Sequence, residues 1–271
     1  MVFKLDVNVM VDLSIIIVEY YSLDEILNCV RSIQNKIGVS HEIIVSSNSE
    51  YSSIEKERIL SHSNGVIWLF NPYNGGFAYA MNEGLKKAKG KYLAIMNSDC
   101  TITSSLSGMI DFMNKHPFVG AIAPKMLDVD GNVQDTARKY VSLPRYIKRQ
   151  IIRLMKHKVA VLDKMDYNKV QTVDWLIGAF IMVSSAAYEK TNGLDNAFFM
   201  YAEDLDWCTR IRQHSFEVVY YPRVIIIYKG TRRARNSYKY AKIFIRSHLL
   251  FWKKFGFIFG YPKRKEIVFE D

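Results

Sequence analysis

Short polar clusters carry the residues that could do chemistry in this chain of 271 residues. Carboxylate groups in such clusters can hold a hard divalent cation or accept a proton during catalysis. Glycines beside them would allow a ligand to approach the backbone closely, although a tight turn needs glycine equally. The clusters are Glu19-Tyr20-Tyr21, Ser46-Ser47-Asn48, Asn74-Gly75-Gly76, Asn97-Ser98-Asp99 and Glu203-Asp204-Leu205-Asp206.

Asp99 admits two interpretations. It follows the apolar segment Tyr92 to Met96, so its carboxylate would stand at the open end of a buried strand. There it could coordinate a divalent cation that a nucleoside diphosphate shares. Alternatively, Asp99 caps the adjoining turn or the next helix, which is a common role for aspartate. The residues alone leave both interpretations open.

Glu203, Asp204 and Asp206 place three carboxylates at the start of a predicted helix. The helix dipole stabilises negative charge there, and capping accounts for one or two of the three. A helix N-terminus also lowers a carboxylate pKa, whereas neighbouring like charges raise it. Catalysis and capping therefore both remain open for this cluster.

Apolar runs alternate with segments of helical periodicity through the first hundred residues. This alternation predicts an α/β fold with a mostly parallel, doubly wound sheet and helices on both faces. Ligands bind such sheets at the carboxyl ends of the strands, where the first four clusters stand. Strands are predicted at Leu13 to Val18, His41 to Val45, Val66 to Phe70 and Tyr92 to Met96, and helices at Leu23 to Gln34 and Phe77 to Ala88.

The alternation weakens after the apolar run Val119 to Ala123. The segment Arg138 to Asp166 carries many bases and few strand signals, which indicates an insertion. The remaining predictions are a hairpin turn at Asp128-Val129-Asp130-Gly131, an apolar run at Val173 to Val183, a helix at Leu205 to Gln213, strands at Glu217 to Tyr221 and Val224 to Tyr228, and a basic helix at Ser237 to Phe255.

The formal net charge of +10 indicates an anionic partner, which could be a nucleic acid, a membrane or a phosphorylated substrate. Much of the excess lies between Arg223 and Lys265. Three cysteines without a C-x-x-C pair fit a reducing compartment. The sequence shows neither a secretory signal pattern nor an apolar run of roughly 18 to 20 residues. We therefore expect a cytoplasmic protein.

Several common enzyme signatures are absent, among them the dinucleotide fingerprint, the phosphate loop, H-E-x-x-H and G-x-S-x-G. Taken together in chain order, the clusters and their flanks resemble family 2 glycosyltransferases, especially the rhamnosyltransferase-like branch that builds bacterial O-antigens and capsules. The matching segments are Ser14 to Ser22, Glu42 to Ser49, Asn71 to Asp99, Val119 to Gln134, Val173 to Val183 and Gly193 to Pro222.

The resemblance implies a GT-A fold with the following organisation. A catalytic domain would span residues 1–236, with a nucleotide-binding half at 12–100 and an acceptor-binding half at 101–236. Residues 237–271 would form a basic, amphipathic helical tail at the C-terminus. The implied partners are a nucleotide-sugar donor and a polyprenyl-diphosphate-linked glycan acceptor, and no nucleic acid.

The resemblance also implies roles for individual residues. Asp204, paired with Glu203, matches the general base of an inverting transfer, and Asp99 matches the ligand of a Mg²⁺ or Mn²⁺ ion that bridges the donor diphosphate. Trp175 and Gly178 match the acceptor-side motif. The donor-binding residues would be Val18, Glu19, Ser47, Asn74, Gly75, Phe77, Asn82, Asn97 and Asp99. The diphosphate would be bound by Tyr228, Lys229, Arg232 and Arg233.

Three positions depart from the family pattern. Ser47 stands where the family usually has the aspartate that contacts the base. Asn97 replaces the first acid of a D-x-D motif, and Tyr228 replaces a histidine that commonly supports the metal and the diphosphate. The resemblance to the rhamnosyltransferase-like branch implies dTDP-rhamnose as the first donor and a UDP-hexose as the next. The departures predict that base recognition and metal use are altered.

Three alternatives to an active transferase remain. A degenerate transferase that only binds nucleotide sugars or a partner would explain the three departures. A sugar nucleotidyltransferase would share the sheet and the acidic loop, but Glu19-Tyr20-Tyr21-Ser22 lacks its glycine-rich basic signature. Nucleic-acid binding lacks any recognisable motif. The basic C-terminal helix either packs on the core with a solvated face or lies on the inner face of the cell membrane as a peripheral contact.

Overall fold

The computed structural model describes residues 11–140, 142–144, 165–230, 238–257 and 261–270. Its strands are β1 (Leu13–Glu19), β2 (His41–Ser47), β3 (Val66–Phe70), β4 (Tyr92–Asn97), β5 (Cys100–Ile102), β6 (Val119–Leu127), β7 (Ala137–Arg138), β8 (Val170–Thr172), β9 (Trp175–Leu176), β10 (Phe180–Ser184), β11 (Glu217–Tyr228) and β12 (Val268–Phe269). Its helices are α1 (Leu23–Lys36), α2 (Ser53–Ser61), α3 (Phe77–Leu85), α4 (Ser107–Lys115), α5 (Ser185–Thr191), α6 (Glu203–Gln213) and α7 (Tyr238–Phe255).

One large mixed sheet organises the fold, with strands in the order β12-β8-β11-β6-β10-β4-β1-β2-β3, and β5 pairs with β11. Strands β3, β2, β1 and β4 are parallel, as the alternating pattern predicts, and β6 is parallel to β11. Strand β10 runs antiparallel to both of its neighbours, β4 and β6. Because of this reversal, the start of β10 lies beside the end of β4, at the edge where ligands bind such sheets.

Two hydrophobic clusters cover the two faces of the sheet. In β1, Ile15 and Ile17 point into the cluster that contains α1 and α4, whereas Ile16 points into the cluster that contains α3 and α6. A strand buried on both faces must be apolar throughout, which is why its sequence Leu-Ser-Ile-Ile-Ile-Val lacks polar alternation. The predicted helices on both faces are confirmed.

Some short elements escape the sequence pattern. The Ser/Asn-rich stretch after β2 leads into α2, whose start carries a capping box between Ser52 and Glu55. This helix buries only Ile59, so its periodicity is weak.

The prediction of two strands between Glu217 and Tyr228 is wrong, because β11 is a single strand. Its register shifts between Tyr221 and Ile225, next to Pro222, which cannot donate a ladder hydrogen bond.

The C-terminal segment packs onto the rest of the chain. In α7, Phe251, Trp252 and Phe255 belong to the same hydrophobic cluster as α3 and α6. Strand β12 adds an antiparallel strand beside β8 at the edge of the main sheet.

Most of the predicted insertion between Arg138 and Asp166 lies outside the described residues. Within the described chain, no helix combines the length and the apolar character needed to cross a bilayer.

Candidate active site

Asp204 lies at the start of α6 and is almost fully buried. Two residues in the left-handed region, Tyr201 (φ 70°) and Ala202 (φ 63°), turn the chain into this helix. The Asp204 carboxylate accepts two backbone hydrogen bonds, from Gly178 N–H to Oδ2 at 2.8 Å and from Leu205 N–H to Oδ1 at 2.8 Å. Burial raises the pKa of Asp204 above its ordinary value, although these hydrogen bonds partly oppose the rise.

The other two acids of the cluster have different surroundings. Glu203 is buried, and burial together with the charge of Asp204 raises its pKa well above the ordinary value. Its Oε2 atom has no hydrogen-bond partner within the described residues. Asp206 is fully buried and bonded to Arg210 Nε at 2.7 Å and to Lys254 Nζ at 2.6 Å. The three neighbouring carboxyl groups therefore differ. Asp204 is held as a hydrogen-bond acceptor, burial favours the neutral form of Glu203, and Asp206 takes part in ion pairs.

Tyr228 interacts with residues at the end of β4 and at the start of α6. Burial raises the pKa of its phenol above the ordinary value, the charges of Asp99 and Asp204 raise it further, and a hydrogen bond with the Asn97 side chain opposes the rise. Asp99 is itself buried, and its carbonyl accepts a hydrogen bond from Lys229 N–H at 3.2 Å. Asn97 and Asp99 come from one predicted cluster, Asp204 from another, and Tyr228 from the predicted diphosphate-binding residues. The interactions of Tyr228 bring all four to one site.

Asp99 is a candidate ligand for a divalent cation. Within the described parts of the chain, no group of three or more His, Cys, Asp or Glu side chains is placed to hold a metal ion. Mg²⁺ is commonly bound through one or two carboxylates together with phosphate oxygens and water. Asp99 is therefore compatible with a cation whose remaining ligands come from the donor diphosphate.

Ser47, one of the three positions that depart from the family pattern, is hydrogen-bonded to Glu19. These residues are direct neighbours on β1 and β2, and Ser47 Oγ donates to Glu19 Oε2 at 2.6 Å. Glu19 Oε1 also accepts from Ser22 N–H at 2.8 Å and from Tyr51 Oη at 3.1 Å. Burial and the charge of Glu19 raise the pKa of Tyr51 to about 12. The residue beside Ser47 on the neighbouring strand is therefore a carboxylic acid, Glu19.

The loop before α3 is tied to the segment that leads into α6. Asn74 Oδ1 accepts from Gly76 N–H at 3.0 Å, and Phe77 N–H donates to Phe199 O at 2.7 Å. Gly76 has a φ of 91°, and a Cβ atom there would lie 2.2 Å from Phe199 O. Only glycine fits this close approach.

Asn82 strengthens the same connection. Its amide donates to Leu194 O at 2.7 Å and to Asn196 Oδ1 at 2.6 Å, and its Oδ1 accepts from Leu194 N–H at 2.9 Å. The side chain is therefore occupied in holding the 194–196 segment. Its direct contact with a donor stays a prediction, as do the donor contacts of Val18, Gly75 and Phe77.

Arg138 is a residue near Asp204 that the sequence analysis missed, and His248 interacts with Arg138 in turn. Arg138 pairs with Trp175 across β7 and β9, and its guanidinium carbon lies 5.1 Å from the centre of the Trp175 ring. The charge of Arg138 lowers the pKa of Asp204 and also that of His248. His248 is buried on α7, and burial lowers its pKa to about 4. No local pattern marks Arg138, because its position depends on the pairing of β7 with the distant strand β9.

The structure describes two of the four residues predicted to bind the diphosphate, Tyr228 and Lys229. Tyr228 lies at the site, and Lys229 follows it with an exposed side chain at the end of β11. Arg232 and Arg233 lie outside the described residues. Their contribution stays a prediction.

Comparison with known proteins assigns the chain to a family. Residues 14–171, more than half of the chain, match the family model described as glycosyl transferase family 2. The chain belongs to this family. As a family 2 glycosyltransferase it is an enzyme that transfers a sugar. The match covers β1 to β8 and so includes Glu19, Ser47 and Asp99, whereas Asp204 lies beyond it.

Individual relatives agree with this assignment. The chain is 25% identical over 237 residues to the rhamnosyltransferase WbbL of Escherichia coli strain K12, covering 84% of each protein. It is 27% identical over 128 residues to a Mycobacterium tuberculosis N-acetylglucosaminyl-diphospho-decaprenol L-rhamnosyltransferase, covering 46% of this chain and 42% of that enzyme. The likeness to the rhamnosyltransferase-like branch is therefore confirmed.

A solved structure supports the fold. The crystal structure of GalNAc-T7 with UDP, GalNAc and Mn²⁺ superposes with a TM-score of 0.62 at 15% identity. The match covers 81% of this chain but only 43% of that chain, so this glycosyltransferase spans less than half of the larger structure. The GT-A fold is confirmed, with a mixed sheet whose core is mostly parallel.

Proposed function

We propose that this glycosyltransferase moves a sugar from a nucleoside-diphosphate donor to a hydroxyl group of a lipid-linked glycan, with inversion at the anomeric carbon. The observation that carries the proposal is the position of Asp204. Its carboxylate is buried, held by two backbone N–H groups, and close enough to Tyr228 and Arg138 for charge interactions. This is the surrounding expected of a fixed general base.

In the proposed reaction, Asp204 takes the proton from the acceptor hydroxyl. The acceptor oxygen forms a bond to the anomeric carbon from the side opposite the diphosphate. The bond between that carbon and the diphosphate oxygen breaks, and its electron pair leaves with the phosphate. A single displacement of this kind inverts the configuration and needs only one base. Glu203 lies beside it, and burial together with the charge of Asp204 raises its pKa well above the ordinary value.

The departing diphosphate gains negative charge, which the site must offset. A Mg²⁺ or Mn²⁺ ion held by Asp99 would supply positive charge at the diphosphate. GalNAc-T7, a structural neighbour, was solved with Mn²⁺. Lys229 extends from the end of β11, where its backbone bonds to Asp99. Arg232 and Arg233 follow three and four residues later and would add to this charge.

For the donor, we propose dTDP-rhamnose first and a UDP-hexose second. Support for rhamnose comes from the likeness to the E. coli and mycobacterial rhamnosyltransferases. The Glu19–Ser47 pair keeps a carboxylate beside the expected base position, although its oxygens are engaged by Ser47, Ser22 and Tyr51. Base recognition would therefore rely less on a free carboxylate than in relatives with aspartate at position 47.

For the acceptor, we propose a polyprenyl-diphosphate-linked glycan used in cell-surface polysaccharide synthesis. The name of the mycobacterial relative includes a decaprenol-linked acceptor. Support for Gly178 as an acceptor-side residue is its proximity to Asp204, and Arg138 lies over the ring of Trp175, the other proposed acceptor-side residue. A lipid-linked acceptor would place the reaction on the cytoplasmic face of the cell membrane.

A transfer screen tests the proposal directly. Purified protein is incubated with dTDP- and UDP-sugars and a short-chain polyprenyl-diphosphate glycan, and both donor hydrolysis and transfer are measured. The proposal expects turnover with at least one donor, and loss of that turnover in Asp204→Asn. Donor binding without turnover across the whole panel would instead favour a degenerate, binding-only protein.

A further inference from the structure

Helix α7 presents one face to the segment that leads into the catalytic helix. His248, Phe251 and Trp252 are buried on this face. Ser247 Oγ donates to Met200 O at 2.8 Å, and the Phe244 ring meets the Tyr201 ring edge-on with centroids 5.5 Å apart. Met200 and Tyr201 precede Asp204 by only a few residues, so α7 supports the catalytic side of the molecule.

The opposite face of α7 combines exposed apolar side chains with bases. Tyr238 is 88% exposed, Ile245 55% and Leu249 49%. Their spacing of seven and four residues places them on one stripe of the helix. Exposed bases flank this stripe at Lys239, Lys242, Arg246 and Lys253. The helix sequence contains no aspartate or glutamate.

We propose that this outer face of α7, defined as Tyr238, Lys242, Ile245, Arg246, Leu249 and Lys253, binds the surface of an anionic lipid bilayer. Apolar side chains would enter the boundary between headgroups and acyl chains, and the longer basic side chains would reach the phosphates. Each base near an anionic leaflet raises membrane affinity by a factor of about five. The bases also keep the helix in the plane of the surface.

Charge complementarity favours a bilayer over a second copy of this chain as the occupant. The chain carries a formal net charge of +10, and the outer face of α7 has bases but no acids. Packing two such faces together would bring like charges into contact, which is unfavourable. An anionic leaflet supplies the opposite charge over the whole length of the helix.

This inference rests on the proposed function for its consequence at the active site, although binding itself can be measured separately. An α-helix is about 10 Å wide, so the segment before Asp204 would lie one helix diameter from the leaflet. A lipid-linked acceptor held in that leaflet would then reach Asp204 without leaving the membrane. Docking therefore concentrates the enzyme where its acceptor is.

Vesicle flotation of the full chain tests the proposal. Vesicles of phosphatidylcholine alone are compared with vesicles that also contain phosphatidylglycerol, and the expected result is flotation only with the second kind. Lys242→Gln with Arg246→Gln should weaken binding about 25-fold. Ile245→Ser with Leu249→Ser should also release the protein. Lys36→Gln with Lys115→Gln removes the same charge from exposed positions on the opposite side of the sheet and should leave binding nearly unchanged.

The outcomes separate the two proposals. Equal flotation of all variants, or no flotation of the wild type, overturns membrane docking. Membrane docking is also overturned if the wild type forms a stable dimer that Ile245→Ser with Leu249→Ser dissociates. In that case the outer face of α7 is a self-association surface. Transfer to a water-soluble acceptor analogue, measured in the same variants, reports on the proposed function alone. Intact docking without any transfer would count against the proposed function and leave the docking inference standing.

Discussion

The backbone N–H of Gly178 donates to Oδ2 of Asp204 at 2.8 Å, which joins the segment just before β10 to the start of α6. The contact exists because β10 runs against β4 and so begins at the edge where β4 ends. A Cβ atom at position 178 would lie 3.3 Å from Asp204 Cβ and 3.5 Å from Oδ2. The position of the carboxylate is therefore set by backbone atoms from two distant segments.

Gly178→Ala should lower kcat, because the added methyl group pushes against the Asp204 side chain. A displacement on the order of 1 Å can cost up to about a hundredfold in rate. Gly108→Ala introduces a Cβ at a comparable 3.2 Å from Tyr221 Oη, in α4 on the other face of the sheet, and should leave kcat unchanged. Equal effects of both substitutions on kcat would show that packing, not the Asp204 position, is being measured.

Asp204→Asn should reduce turnover by about 10² to 10⁴-fold, since it removes the proposed proton acceptor while keeping the side-chain shape. Donor affinity, measured by isothermal titration calorimetry, should change little. Glu203→Gln is the matched control: burial already favours the neutral form of Glu203, so an amide there should retain most activity. A larger loss in Glu203→Gln than in Asp204→Asn would transfer the base role to Glu203.

Arg138→Gln should move the acidic limb of the kcat/KM profile to higher pH. The Arg138 charge lowers the pKa of Asp204, so its removal raises that pKa, and more alkaline solution is then needed to ionise the base. Arg138→Lys should restore part of the shift. Arg58→Gln, an exposed position on α2, should leave the profile in place. An unshifted limb in Arg138→Gln would show that this charge does not act on Asp204 during catalysis.

Asp99→Asn should abolish any strengthening of donor binding by Mn²⁺. A carboxylate shared between ion and diphosphate makes binding of each depend on the other, and an amide is a weaker ligand. Titration of the donor nucleotide with and without Mn²⁺, in both proteins, measures this coupling. Equal affinity with and without Mn²⁺ in the wild type would remove Asp99 from a metal-binding role.

His248 should make the protein less stable in mild acid. Its pKa is about 4 in the folded state, below the ordinary 6.5, so the unfolded chain takes up the proton first as the pH falls. The contribution of neutral, buried His248 to the free energy of unfolding is fully present above pH 6.5. As the pH falls towards 4, the free energy of unfolding decreases by up to about 3 kcal/mol. Urea unfolding across this range should show a weaker pH dependence in His248→Gln, whereas His214→Gln, an exposed position, should behave like the wild type. The same pH dependence in all three proteins would contradict the assignment.

Local sequence determined the first half of the fold. Periods of 2 and 3.6 residues act over neighbouring positions, which is why β1, α1, β2, β3, α3 and β4 can be placed from the chain alone. The order of motifs likewise indicated the family, which the match over residues 14–171 confirms. The short α2 was missed, since it buries only Ile59 and leaves little periodicity. The sequence analysis also missed α4, although that helix buries Met109, Ile110, Phe112 and Met113.

Tertiary structure decided which polar residues share the site and what state each adopts. By residue type Glu203, Asp204 and Asp206 are similar neighbours, and only the family resemblance singled out Asp204 as the base. In the structure Asp204 meets the N–H of Gly178, while Asp206 is paired with Lys254 from α7. Arg138 became a site residue through β7 pairing with β9. Burial and hydrogen bonding depend on partners tens of residues away, and local periodicity carries no information about such partners.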